Sequence, residues 1–136
     1  MIVADASVVV EMLGRTGSPA GEALDRQFAD GETICAPHLL DAEVGQALRR
    51  FTLRGRMSPA RAQESLEDLA GLPILRFAHG ALLWRAFELR SNVTIYDGLY
   101  LALAETLDLP LLSCDAALAD VPGCAARVEV VPGRPV

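Results

Sequence analysis

Alternation constrains this chain more than any other feature. Short apolar runs of β character occur at 2–5 (IVAD), 33–36 (TICA), 73–77 (PILRF), 110–113 (PLLS) and 128–131 (VEVV). Between them the apolar spacing is helical, over 6–14, 19–29, 37–54, 59–70, 79–90 and 95–107. Strands separated by helices return in parallel, because the helix supplies the crossover that a tight turn cannot. The expected architecture is therefore α/β: one domain over residues 1–136, with a mostly parallel central sheet of about five short strands flanked by helices. The runs at 2–5 and 110–113 are apolar without interruption until their ends, as expected of strands covered on both faces. Ser58-Pro59 opens one helix, Gly71 and Pro73 close it, and Pro110 opens a strand. The terminal PGRPV is expected to fray.

Composition matters mainly for what it excludes. Apolar residues make up 51% of the 136, enough for a real core. No apolar run approaches the roughly 20 residues that span a bilayer. The opening MIVADAS lacks the basic region of a signal peptide and carries an acid at Asp5, so a cytoplasmic protein without a membrane segment is expected. Cys35, Cys114 and Cys124 are too few and too scattered for a disulfide framework. Cys35 and His38 have no second pair to complete a zinc site, and Cys35 and Cys114 are expected to be buried as small hydrophobes. His79 is expected at a helix start. The formal net charge of −6 argues against a broad nonspecific nucleic-acid binder. Every basic residue is arginine. A phosphoacceptor receiver domain and a haloacid-dehalogenase-type phosphatase each need a lysine, so both are excluded.

Four acids do not fit a solvated surface. Asp5 and Asp115 end apolar runs, with Ser7 and Ser113 two residues away on their inner sides; in open α/β sheets ligands gather beyond such strand ends. Each could be a simple helix cap. Glu43 stands in mid-helix at the edge of the stripe Leu40, Val44, Ala47, Leu48 and Phe51, where capping explains nothing and an ion pair with Arg50 is the structural alternative. Asp97 shares a helix side with Tyr100, Leu101 and Ala104, and Thr94 precedes it in a capping pattern. By contrast Glu22, Asp25, Glu64, Glu67 and Asp68 follow solvated-face spacing, and Asp41 points away from Glu43. Carboxylates packed together repel and raise one another's pKa. A hard divalent cation relieves this, and Mg²⁺ or Mn²⁺ suits an all-oxygen donor set.

The segments IVADAS, LLDAEVGQAL, TIYDGLYLALAE and LLSCDAAL together resemble the four acidic motifs of PIN domains. Their order and the chain's size are similar to those of VapC-type toxins from toxin–antitoxin pairs, over essentially the whole chain. Gly98 departs from the family's more usual alanine and is expected to loosen that helix start. The resemblance implies a Mg²⁺- or Mn²⁺-dependent endoribonuclease. In it Asp5 and Asp97 are primary metal ligands, Glu43 and Asp115 complete the cluster directly or through water, and Ser113 sits beside the metal with Ser7 in support. Two partners are implied besides RNA: a second copy of the chain and a VapB-type antitoxin. The alternative is a catalytically weak PIN-like module that only binds partners.

Two surface features complete the reading. Arg49, Arg50, Arg54 and Arg56 cluster at a helix end, where they suit the helix dipole; as a phosphate-tracking edge, Arg50 is the best placed, since it shares a face with Glu43. In ALLWRAFELR (81–90), Leu82, Leu83, Ala86 and Leu89 are expected to face the core. Trp84 and Phe87 either complete that core or spread an apolar partner surface.

Overall fold

The alternation closes into one parallel sheet. A computed structural model describes residues 1–134. In chain order it contains β1 (Ile2–Ala4), α1 (Ala6–Leu13), α2 (Pro19–Ala29), β2 (Ile34–Pro37), α3 (Leu39–Leu53), α4 (Pro59–Gly71), β3 (Ile74–Phe77), α5 (Leu83–Glu88), α6 (Ile95–Leu107), β4 (Leu111–Ser113) and β5 (Val128–Val130), with a 3₁₀ turn at Ala116–Leu118. The strand order is β3-β2-β1-β4-β5, and every pairing is parallel. Ile2 lies opposite Ile34, and Val3 is flanked by Cys35 and Leu111. The chain builds outward from β1 to β3 and then returns to add β4 and β5 on the other side. The switch in direction therefore falls between β1 and β4, where ligand crevices form in such sheets.

Local signals set the helix boundaries. Asp5, Ser18, Ser58 and Thr94 have extended backbones, and each accepts a hydrogen bond from an amide in the first turn of its helix. Pro19 and Pro59 follow two of these caps at positions where no amide hydrogen is needed. Both β1 and β4 are buried along their whole length. Helix α6 is buried from Gly98 to Ala104 and lies across β1, β2 and β4. Leu40, Val44, Ala47 and Leu48 form the buried stripe of α3.

Several expectations need correction. Pro37 belongs to β2, so the third helix starts at Leu39 rather than 37. The expected helix 79–90 shrinks to Leu83–Glu88, because His79–Leu82 form a turn first. Leu82, Ala86 and Leu89 face the core, but Leu83 is turned away and exposed; a helix this short buries only one narrow stripe. Trp84 (78% exposed) and Phe87 (53%) do not complete the core. Cys35 is fully buried as expected, whereas Cys114 is only half-buried. Gly98 does not loosen its helix. A Cβ there would lie 3.0 Å from Cα and Cβ of Ala86, so glycine lets α6 seat directly against α5. The tail is not frayed through Arg134, since the Pro132 carbonyl accepts from Ala20 N at 3.0 Å and Arg134 N donates to Glu11. Residues 135–136 of that tail lie outside the described residues.

Candidate active site

Asp5 anchors the site. It leaves the buried end of β1, caps α1, and is only 8% exposed. Its Oδ1 accepts from Ser7 N at 3.0 Å, from Val8 N at 3.4 Å and from the Ser7 hydroxyl; its Oδ2 accepts from the Ser113 hydroxyl at the end of β4. The serines also tie the two strand ends together. Cys114 N donates to Ser7 Oγ at 3.0 Å, and Asp115 N donates to Ser113 Oγ at 3.0 Å. Burial raises the Asp5 pKa above the ordinary carboxylate value, with the hydrogen bonds from Ser113, Ser7 and Val8 pulling the other way.

Glu43 and Asp97 enter from two helices. Glu43 is half-buried on α3, and its pKa is raised first by burial and then by the negative charges of Asp97 and Asp5. Asp97 is half-buried in the first turn of α6, held there by its amide donating to Thr94 Oγ1 at 3.1 Å. Burial raises its pKa, followed by the charges of Asp115 and Asp5, while the Thr94 hydroxyl acts in the opposite sense. Asp115 is exposed and caps the 3₁₀ turn, accepting from Ala117 N at 2.9 Å. Thus all four expected acids lie in one electrostatic field at the β1–β4 switch, from four separate parts of the sequence.

No ion pair among the described residues neutralises that field: none of the four acids takes part in one. The expected alternative, a bridge from Glu43 to Arg50, is not made. Arg50 is exposed and shares with Glu43 the wall of a cavity of about 400 Å³, lined also by Ser7, Glu11, Gln46 and Phe51. Asp41 is engaged elsewhere, accepting from Arg76 Nε at 2.7 Å and Nη2 at 2.8 Å. As placed, no three carboxylate, histidine or cysteine side chains among the described residues stand close enough to grip one ion. The donor chemistry nonetheless suits a hard divalent cation: anionic oxygens, no arginine ion-paired to them among the described residues, and mutual repulsion that a cation would relieve. Among the described residues no hydrogen bond of good geometry reaches the buried Tyr100 hydroxyl, although the phenol favours the ionised form of Glu43.

Three contributors were not singled out from sequence. Glu11 lines the cavity, takes the Thr16 hydroxyl at 2.9 Å and receives the tail through Arg134 N; the signal available was an acid inside VVVEML. Beyond starting the turn before α5, His79 accepts Leu39 N on its Nε2 at 2.8 Å, serving as a remote cap for the helix that carries Glu43. No local spacing links residues 39 and 79. The third is the Tyr100 hydroxyl, read from sequence only as part of an apolar face.

A PIN domain model matches residues 2–123, and the chain belongs to the PIN-domain family. Its place there is among the VapC-type ribonucleases. It is similar to Ribonuclease VapC1 of Mycobacterium tuberculosis, 42% identical over 130 residues, covering 95% of this chain and 96% of that one. It is also similar to Ribonuclease VapC12 of the same organism, 40% identical over 131 residues, covering 96% and 99%. The fold matches a chain in the crystal structure of VapBC2 from Rickettsia felis bound to a DNA fragment from their promoter, with a TM-score of 0.69, 15% identity and coverage of 96% and 99%.

Proposed function

We propose that this chain is a divalent-metal-dependent endoribonuclease, the toxin of a type II toxin–antitoxin pair. One observation supports the reading: Asp5, Glu43, Asp97 and Asp115 lie about the sheet's switch point, near enough that their charges raise the pKa of Glu43 and Asp97, and none of them is ion-paired among the described residues. The names of the VapC relatives support RNA as the substrate class. Asp5 and Asp97 would hold Mg²⁺ or Mn²⁺, with Glu43 and Asp115 completing the set directly or through water. When bound, such an ion activates water and offsets charge growing on the scissile phosphate. The protein's share is orientation. Ser7 and Ser113 fix both oxygens of Asp5, the Thr94 cap fixes the helix start that bears Asp97, and Arg50 on the cavity wall offers a guanidinium to a neighbouring phosphate. In-line hydrolysis would leave a 5′-phosphate and a 3′-hydroxyl.

Exposed apolar side chains on and beside α5, including Trp84, Phe87 and Tyr96, support partner binding by a VapB-type antitoxin and by a second copy of the chain. Among the described residues no helix is long and apolar enough to cross a membrane.

The test is cleavage of RNA with Mg²⁺ or Mn²⁺ by the wild type, Asp5→Asn and Asp97→Asn, alongside melting in EDTA. Cleavage is expected to vanish in both variants while each still melts cooperatively. Full activity in either removes that residue from the site. A wild type that folds but neither responds to metal nor cleaves RNA favours the partner-binding alternative.

A further inference from the structure

The cavity beside the acids is a groove between two helices, and its lining follows helical spacing. From α3 come Glu43, Gln46, Ala47, Arg50 and Phe51, one stripe of that helix; from α1 come Ala6, Ser7, Val10 and Glu11. Glu43 marks the end nearest the acids, and Phe51 lies about 12 Å further along α3 at 1.5 Å per residue. The volume of about 400 Å³ falls among small-ligand clefts, roughly 300–1,000 Å³. Val10, Ala47 and Phe51 give the groove an apolar wall, while Gln46, Arg50 and Arg134 bring donors from exposed positions. Neither arginine forms an ion pair among the described residues. Glu11 is the side chain that a groove for phosphate alone would not need. Both its oxygens are held: the Thr16 hydroxyl accepts from Ser18 N at 3.2 Å and donates to Oε2 at 2.9 Å, and Arg134 N donates to Oε1. A carboxylate has roughly four acceptor positions, so capacity remains for a ligand.

We propose that this groove is a nucleobase subsite, which takes one unpaired base of the RNA next to the cleaved phosphate, with Glu11 selecting guanine. The inference rests on the ribonuclease reading above. A flat heteroaromatic ring suits a wall made by Phe51, Val10 and Ala47, and proteins read unpaired RNA bases by stacking them and bonding to their edges. A carboxylate rejects a phosphate and accepts from donors. Among the four RNA bases only guanine carries two adjacent donors, N1–H and its 2-amino group, on the Watson–Crick edge, matching the two oxygens of Glu11. Uracil offers one ring N–H there, and adenine and cytosine each offer an amino group beside a ring nitrogen that only accepts. Arg50 and Arg134 then meet the phosphates on either side of the seated base.

The test is binding of short fluorescent oligouridine RNAs in EDTA, where one uridine is kept or replaced by guanosine or by inosine, which lacks the 2-amino group. By anisotropy the wild type is expected to bind the guanosine RNA at least about five-fold more tightly than the other two, the low end for a bidentate base contact. Glu11→Gln, similar in shape but with one acceptor oxygen fewer, should bring all three within about two-fold of one another. With Mg²⁺, cut sites in a random-sequence RNA should show guanosine at one fixed position beside the cut, a bias lost in Glu11→Gln. A Glu11 that only tethers Thr16 and the tail would lower Tm on substitution and leave the base preference as it was, and that result overturns the proposal. So does a wild type that binds RNA without telling guanosine from inosine, a comparison that decides even where Glu11→Gln does not fold. RNA cleaved without base preference removes the subsite alone, whereas a folded wild type that neither binds nor cleaves RNA removes the ribonuclease reading with it.

Discussion

Ser113→Ala should destabilise the fold by an amount that grows with pH. The hydroxyl is fully buried and donates to Asp5 Oδ2 across the β1–β4 switch. A hydrogen bond to a charged group contributes about 1.5–3 kcal/mol, and one between neutral groups about 0.5–1.5 kcal/mol. The alanine leaves almost no cavity, and Asp115 N, on an exposed residue, can turn to water. The expected loss is therefore about 1.5–3 kcal/mol with Asp5 ionised, or roughly 5–10 °C in Tm for a domain of this size. Burial already raises the folded-state pKa of Asp5 above 3.8, and Ser113 holds it down. Removing the serine raises it further. A carboxyl with a raised folded pKa binds protons more tightly in the native state, so stability falls as pH climbs from 3.8 through the folded value. The variant's deficit should thus be smallest in acid and largest above that window. Urea unfolding in EDTA over a pH series that starts in acid, below the free carboxylate value, and ends above neutrality measures it, followed by circular dichroism because the single Trp84 is exposed. A loss below about 0.5 kcal/mol at every pH, or one that does not change with pH, would refute the idea that Ser113 stabilises an ionised, buried Asp5.

Gly98→Ala gains about 1 kcal/mol of helix propensity but drives a methyl to 3.0 Å from the Ala86 Cα and Cβ and 3.2 Å from its carbonyl oxygen. Overpacking of this kind costs about 1–3 kcal/mol, so thermal melting should show a net loss of several degrees, and a higher Tm would contradict the close α5–α6 seat. Arg50→Gln should leave Tm nearly unchanged, since the exposed Arg50 makes no ion pair among the described residues. It should weaken RNA binding several-fold and reduce the salt dependence by about one phosphate contact, read from Kd at several salt concentrations.

Each feature written in local spacing was legible without coordinates. The uninterrupted apolar runs IVAD and PLLS, the helical stripe of Leu40, Val44, Ala47 and Leu48, and the Ser58-Pro59 start of α4 are all decided within a turn or a strand. They specified a parallel α/β sheet, and with it the kind of place where Asp5 and Asp115 would stand. The PIN-like motifs added Glu43 and Asp97 as candidates. Tertiary structure decided what depends on neighbours distant in sequence. The Asp5 network needs Ser113, 108 residues away. His79 caps a helix 40 residues earlier. Gly98 looked like a weak helix start until α5 was packed against it, and Leu83 looked like core until a turn shortened its helix. Glu43 had an eligible partner in Arg50 on its own helix, yet cavity geometry left the two apart. Local propensity and period are properties of a few consecutive residues, whereas pairing, close approach and uncompensated charge exist only once separate elements share the same space.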